Sequence, residues 1–160
     1  MNLNSALGLQ LNGMKIIIGS DHAGFKLKEE IKEFLKGLKH KVKDYGTDSE
    51  ESVDYPSYGH KVATDVAKDK SVGILVCGSG IGMSIVANKV NGIRAALCHD
   101  EYTAEAARKH NNANVLCLGS RVLEGKDAKG IVKKFLETKA STEDRHKRRV
   151  LEIKDLECSS

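Results

Sequence analysis

The 160-residue chain has no tryptophan, a single proline and few aromatic residues, 4% of the total. Without a platform of stacking rings it lacks the usual means of gripping single-stranded nucleic acid. No apolar run approaches the roughly 18 to 20 residues that a membrane-spanning helix needs. The four cysteines, Cys77, Cys98, Cys117 and Cys158, form no CxxC pair, which argues against a disulfide framework or a zinc knuckle. They point instead to a reducing, cytoplasmic setting. Lys and Arg outnumber Asp and Glu by only 26 to 22, so no general affinity for polyanions follows. The first thirteen residues, MNLNSALGLQLNG, carry no Lys or Arg and lack the positive start of a targeting signal. Residues 1–13 are expected to be an extension or remnant, and residues 14–160 a single domain.

What is present is a repeated change of hydrophobic period. KIIIGS reads as a strand buried on both faces, and GFKLKEEIKEFLKGL puts Leu27, Ile31, Phe34, Leu35 and Leu38 on one helical stripe with lysine and glutamate opposite. The same β-then-α alternation recurs in KVKDYG with PSYGHKVATDVAKD, VGILVC with GMSIVANKV, GIRAALCH with EYTAEAARKH, and ANVLCLGS with GKDAKGIVKKFLETK. A charged helix at DRHKRRVLEIKDLE closes the chain. Five such units predict an α/β fold, a Rossmann-like three-layer α/β/α sandwich around a five-stranded parallel sheet. Pro56 suits the first turn of a helix.

Ligands of such sheets bind beyond the carboxyl ends of the strands. The loops there are SDHAG, DYGTDSEESVDYP, CGSGIG, HDEY and GSR. Gly78, Gly80 and Gly82 let backbone N–H groups converge on an anion, or simply make a tight strand-to-helix turn. Their GxGxG spacing departs from the dinucleotide and P-loop fingerprints, which weakens a nucleotide-binding reading. Cys77 is a core thiol, a nucleophile, or a base whose thiolate the loop favours. Met83 stands where a phosphatase-type cysteine loop would carry arginine, which disfavours a phosphoenzyme. Asp21 could be a helix cap with His22 a solvated neighbour; His110 and Asn111 late in a helix, and the RHKRR run, also have ordinary structural explanations.

Taken together, GSDHAGFKLK, DYP, CGSGIGMSIVANKVNGIRAALC, HNNANVLCLGSRV and RHKRRV resemble, in this order and spacing, the ribose-5-phosphate isomerase B family, which includes galactose-6-phosphate and allose-6-phosphate isomerases. The likeness covers Met14 to about Asp155. It implies a cofactor-free, metal-free aldose–ketose isomerase of pentose phosphate metabolism, interconverting ribose 5-phosphate and ribulose 5-phosphate by C2/C1 proton transfer through a cis-enediolate. Alternative substrates are allose 6-phosphate and galactose 6-phosphate.

By this likeness Cys77 is the base, and Gly78, Ser79, Gly80, Ile81 and Gly82 hold the enediolate oxygens. His110 assists ring opening, with Asp21 sharing it, and Asp21, Tyr55 and Asn111 contact the sugar. His22 and Arg121 from one subunit, with Arg145, His146 and Arg149 from another, bind the phosphate. The resemblance therefore implies a homodimer, or a dimer of dimers, with composite sites. One subgroup carries an acidic base just after the third loop glycine; Met83 occupies that place here, which marks a cysteine-type enzyme.

Overall fold

In the computed structural model, which describes residues 13–159, five parallel strands alternate with helices. Strands β1 (Lys15–Ser20), β2 (Lys41–Asp44), β3 (Val72–Cys77), β4 (Ala95–Leu97) and β5 (Val115–Gly119) form one sheet in the order β2-β1-β3-β5-β4. The helices are α1 (Phe25–Gly37), α2 (Tyr55–Asp69), α3 (Ile81–Ala87), α4 (Glu101–Asn111), α5 (Gly125–Glu137) and α6 (Asp144–Asp155), with a 3-10 turn at Leu156–Ser159. The proposed extension, residues 1–13, lies outside the described residues except for Gly13, whose N–H donates to the Lys39 carbonyl.

The central strands are apolar on both faces because helices cover both. Ile16 and Ile18 of β1, with Ile74 and Val76 of β3, pack under α1, α4 and α5 through Leu27, Ile31, Ala104, Ala107, Ile131 and Phe135. Ile17, Leu75, Cys77 and Cys117 face Val62, Ala63 and Val66 of α2 and Met83 of α3. Two cores therefore sandwich the sheet, as the alternation predicted. Strands β1 and β3 and the Pro56 position fall where the sequence places them.

Two expectations change. The third and fourth units are shorter than their apolar runs: α3 stops at Ala87 and β4 spans only Ala95–Leu97. Asn88 ends that helix and lies beside β4, donating its Nδ2 to the Ala95 carbonyl (3.0 Å) and accepting the Ala95 N–H on Oδ1 (2.9 Å). The side-chain amide thus takes the place of another strand. Secondly, Lys28, assigned to the solvent face of α1, is 1% exposed. Its stem lies against Gly46, where a Cβ would come within 2.7 Å of Cδ, and its Nζ meets Asp44 at 2.6 Å and Glu29 at 2.9 Å. Lys32 bridges the same two carboxylates, closing a ring of alternating charge.

The connections leave β1 and β3 in opposite directions, so the topological switch point lies between them. Both strands end at a loop that the sequence marks as chemical.

Candidate active site

At that switch point an open cleft of about 540 Å³ is lined by Asp21, His22, Tyr55, Cys77, Gly78, Ser79, Ile81, Gly82 and Arg121, among others. Cys77 ends β3 and is 5% exposed. Its Sγ accepts the Gly80 N–H at 3.1 Å. Gly80 reaches this position with φ +77°, a left-handed conformation that glycine tolerates, and an added Cβ there would lie 2.5 Å from Leu97. Next to it the Ser79 Oγ accepts the Ile81 N–H at 3.2 Å, leaving its O–H as a donor. Two of the loop's amides thus serve its own sulfur and hydroxyl.

Bare backbone brings the remaining groups close. A Cβ on Gly82 would lie 2.6 Å from Cζ of Tyr55, and one on Gly78 would lie 3.1 Å from Nη1 of Arg121, so ring and guanidinium rest directly on the loop. The Ser120 N–H donates to the Cys77 carbonyl and the Arg121 N–H to that of Gly78. The Ser120 hydroxyl ties the same segment to the Ala23 carbonyl at 2.8 Å. Ser120 is a link that sequence reasoning missed, for a lone serine after a strand carries no signal of its own.

Asp21 is buried, 6% exposed, and its Oδ1 accepts the Gly24 N–H at 2.9 Å. The capping expectation is corrected in detail: Asp21 closes the turn before α1, whose N-cap position is Gly24. Gly24 must be bare there, since a Cβ would lie 2.4 Å from the Val76 carbonyl oxygen. The His22 Nδ1 accepts the Val53 N–H at 3.1 Å, so in the neutral ring the proton sits on Nε2, a donor for an anion.

The other cysteines differ in surroundings. Burial pushes the Cys98 thiol up to about 11 and raises that of Cys117 further. Both remain protonated packing residues. Only Cys77 of the three lines the cleft.

The rest of the predicted set lies elsewhere. His110 and Asn111 end α4 at the amino-terminal edge of the sheet, the opposite edge from Cys77. His110 stacks on His146 of α6, ring centroids 4.6 Å apart. Arg145 and Arg149 are exposed on the same helix, and the Arg145 Nε meets Glu143 at 2.7 Å. His146 is buried beneath His110, 8% exposed. A single chain therefore gathers Asp21, His22, Tyr55, the glycine loop, Cys77 and Arg121 in one place, and His110, Asn111, Arg145, His146 and Arg149 in another.

Among the described residues no group of three or more His, Cys, Asp or Glu side chains could hold a metal ion, and no helix is long and apolar enough to cross a membrane.

A match to the Ribose/Galactose Isomerase family spans residues 16–153. The chain belongs to that family. Among relatives in it, ribose-5-phosphate isomerase B of Escherichia coli is 46% identical over 144 residues, covering 89% of this chain and 96% of that protein. Ribose-5-phosphate isomerase B of Clostridium thermocellum has a solved structure that superposes with a TM-score of 0.88 at 49% identity, covering 91% of this chain and 98% of that one. The Mycoplasma genitalium ribose-5-phosphate isomerase B, solved with bound ribulose-5-phosphate, gives a TM-score of 0.88 at 41% identity, over 93% of this chain and 99% of the other. The five-stranded sandwich is thus the Ribose/Galactose Isomerase fold.

Proposed function

We propose that the chain is a ribose-5-phosphate isomerase. The observation that carries this reading is Cys77 held at the cleft by the Gly80 N–H, 3.1 Å from Sγ, between a hydroxyl donor and a guanidinium. Aldose–ketose isomerisation needs a base within reach of C2, donors for an enediolate and an anchor for the phosphate. These residues supply all three, and the ribulose-5-phosphate held by the Mycoplasma relative fits the same chemistry.

In the proposed reaction the Cys77 sulfur removes the C2 proton of the open-chain aldose. The electron pair of that C–H bond forms the C1–C2 double bond, and the carbonyl pair moves to O1. The Gly78, Ser79 and Gly82 amides and the Ser79 hydroxyl hold the oxygens of the cis-enediolate. The proton then returns to C1 while the O2 proton passes to O1, so that O1 becomes a hydroxyl and the C2 carbonyl forms. His22 and Arg121 anchor the phosphate, Tyr55 and Asp21 border the sugar, and no metal or cofactor takes part.

His110 opens the furanose ring, with Asn111 beside it, and Arg145 and Arg149 complete the phosphate site. Both sets act together only if a second copy brings its α4–α6 edge to the first copy's cleft. A homodimer with two composite sites is therefore part of the proposal. Its setting is the cytoplasm, in line with three buried free thiols.

The deciding experiment compares kcat/KM for ribose 5-phosphate, allose 6-phosphate and galactose 6-phosphate on one preparation. Ribose 5-phosphate should be preferred. A higher value for either hexose phosphate would move the substrate within the family, and inactivity on all three would overturn the reading.

A further inference from the structure

A second cavity, of about 420 Å³, opens at the far end of the sheet from the cleft, and its charged lining is entirely cationic: Lys70, Arg94 and Arg108. Its wall comes from residues just before β3, β4 and β5. Arg94 donates Nε and Nη2 to the Asn112 carbonyl, each at 3.0 Å, and Nε also reaches that of Asn111 at 3.2 Å. Arg108 donates Nη1 to the Ala113 carbonyl at 2.5 Å and Nε to that of Thr138 at 3.3 Å. Neither guanidinium, nor the Lys70 ammonium, has a carboxylate partner among the described residues.

Among the described residues, Arg94 Nη1 and Arg108 Nη2 keep N–H donors without a protein acceptor. In the same wall the Ser71 hydroxyl is out of reach of solvent and has no hydrogen-bond partner. Burial and the neighbouring charge of Arg94 lower the pKa of Arg108, the mark of like charges brought together without a counter-ion. Backbone carbonyls satisfy geometry but supply no net negative charge. Two fork-shaped donors and an ammonium suit an oxyanion. The volume exceeds one phosphate and leaves space for a short carbon chain.

We propose that this cavity is a second anion site, taking a phosphate group, free or on a small monoester, and that its occupant acts on the active site through Arg94. Arg94 holds the Asn111 and Asn112 carbonyls, so an anion drawing on its guanidinium alters the end of α4 that carries His110. This second half rests on the isomerase reading; the binding half does not.

The test is an NMR titration of the full chain with inorganic phosphate, then with glycerol 3-phosphate. The Nε–H signals of Arg94 and Arg108 report the cavity, and the amides of Gly80 and Gly82 report the cleft. Saturable shifts of the arginine signals are expected, with affinity reduced roughly tenfold in Lys70→Glu through loss of a charge-assisted contact. Shifts at Gly80 and Gly82 should be unaffected by that substitution. Lys70 is exposed beyond α2, which keeps the fold intact, and Arg108→Lys serves as a second variant. Tighter binding of glycerol 3-phosphate identifies a monoester; equal affinity identifies phosphate itself. Absence of arginine shifts at millimolar phosphate, or affinity unchanged in both variants, overturns the site. In kinetics, phosphate should inhibit with a non-competitive component that Lys70→Glu lacks while its basal kcat is retained. Purely competitive inhibition of both proteins overturns the coupling.

Discussion

The imidazoles of His110 and His146 stack with their planes 14° apart, joining the end of α4 to α6. Burial, then the charges of Arg145 and His110, hold the His146 pKa below the usual histidine value, with Glu143 opposing. The unfolded chain takes up a proton as the pH falls below about 6.5, and the folded chain resists it. Stability is therefore full above that pH and is lost as the pH falls through the lowered folded value. His146→Phe keeps a ring against His110 without titrating, so its stability should fall less between about pH 7.5 and pH 5.5 than that of the parent chain. Urea unfolding at both values measures it. An unchanged difference would assign the loss to other groups, foremost His40, whose pKa burial also lowers.

Cys77→Ala should abolish most ribose 5-phosphate isomerisation, with a loss of about 10²- to 10⁴-fold in kcat, the ordinary weight of a general base. The fold should survive, because the side chain is small and lies at the edge of its core cluster. Circular dichroism and kinetics together check it. Near-normal turnover on an intact fold would remove Cys77 from the base role.

Gly82 lets the Tyr55 ring lie on the loop, and an added Cβ would stand 2.9 Å from its hydroxyl oxygen. Gly82→Ala should push the half-exposed ring aside while leaving the backbone in place. A higher KM for ribose 5-phosphate with a smaller change in kcat is expected. If KM is unchanged, Tyr55 does not border the sugar.

The sandwich was legible because Ile16 to Ile18 and Val72 to Cys77 are short apolar runs between amphipathic helices, a pattern with few other solutions. Lys28 was not, because its burial depends on Gly46 leaving a slot and on Asp44 and Glu29 arriving beside its tip, facts of tertiary geometry that α1 alone does not carry. The site was half legible in the same sense. SDHAG and CGSGIG were legible because each follows an apolar strand at its carboxyl end, where ligands of such sheets bind, and Gly24, Gly80 and Gly82 stand where a Cβ would come within 2.6 Å of a neighbouring atom. That His110 lies at the other end of the sheet depends on the direction of α4, and residue identity is silent on it.

Lys28 also yields a stability test. Lys28→Met removes a cation whose side chain is 2% exposed and leaves Asp44 and Glu29 to Lys32 alone. The carboxylates left behind are 22% and 37% exposed and keep Lys32, so no buried charge is stranded and the cost should be about 1 kcal/mol. Urea denaturation at neutral pH measures it, and a cost above about 3 kcal/mol would show that Lys28 itself holds the two carboxylates together.

The separation of Cys77 from His110 permits a test of the composite site that needs no structure of the dimer. Cys77→Ala and His110→Ala should each be nearly inactive alone. In a mixed dimer, one site combines the two altered residues and the other combines the intact Cys77 of one chain with the intact His110 of its partner. If the chains exchange freely, half the dimers are mixed and about a quarter of all sites are whole, as the symmetry of a two-fold interface requires. Mixing the two variants after partial unfolding and refolding should thus recover about a quarter of normal activity. If both residues act within one chain, every site carries one defect and mixing recovers nothing.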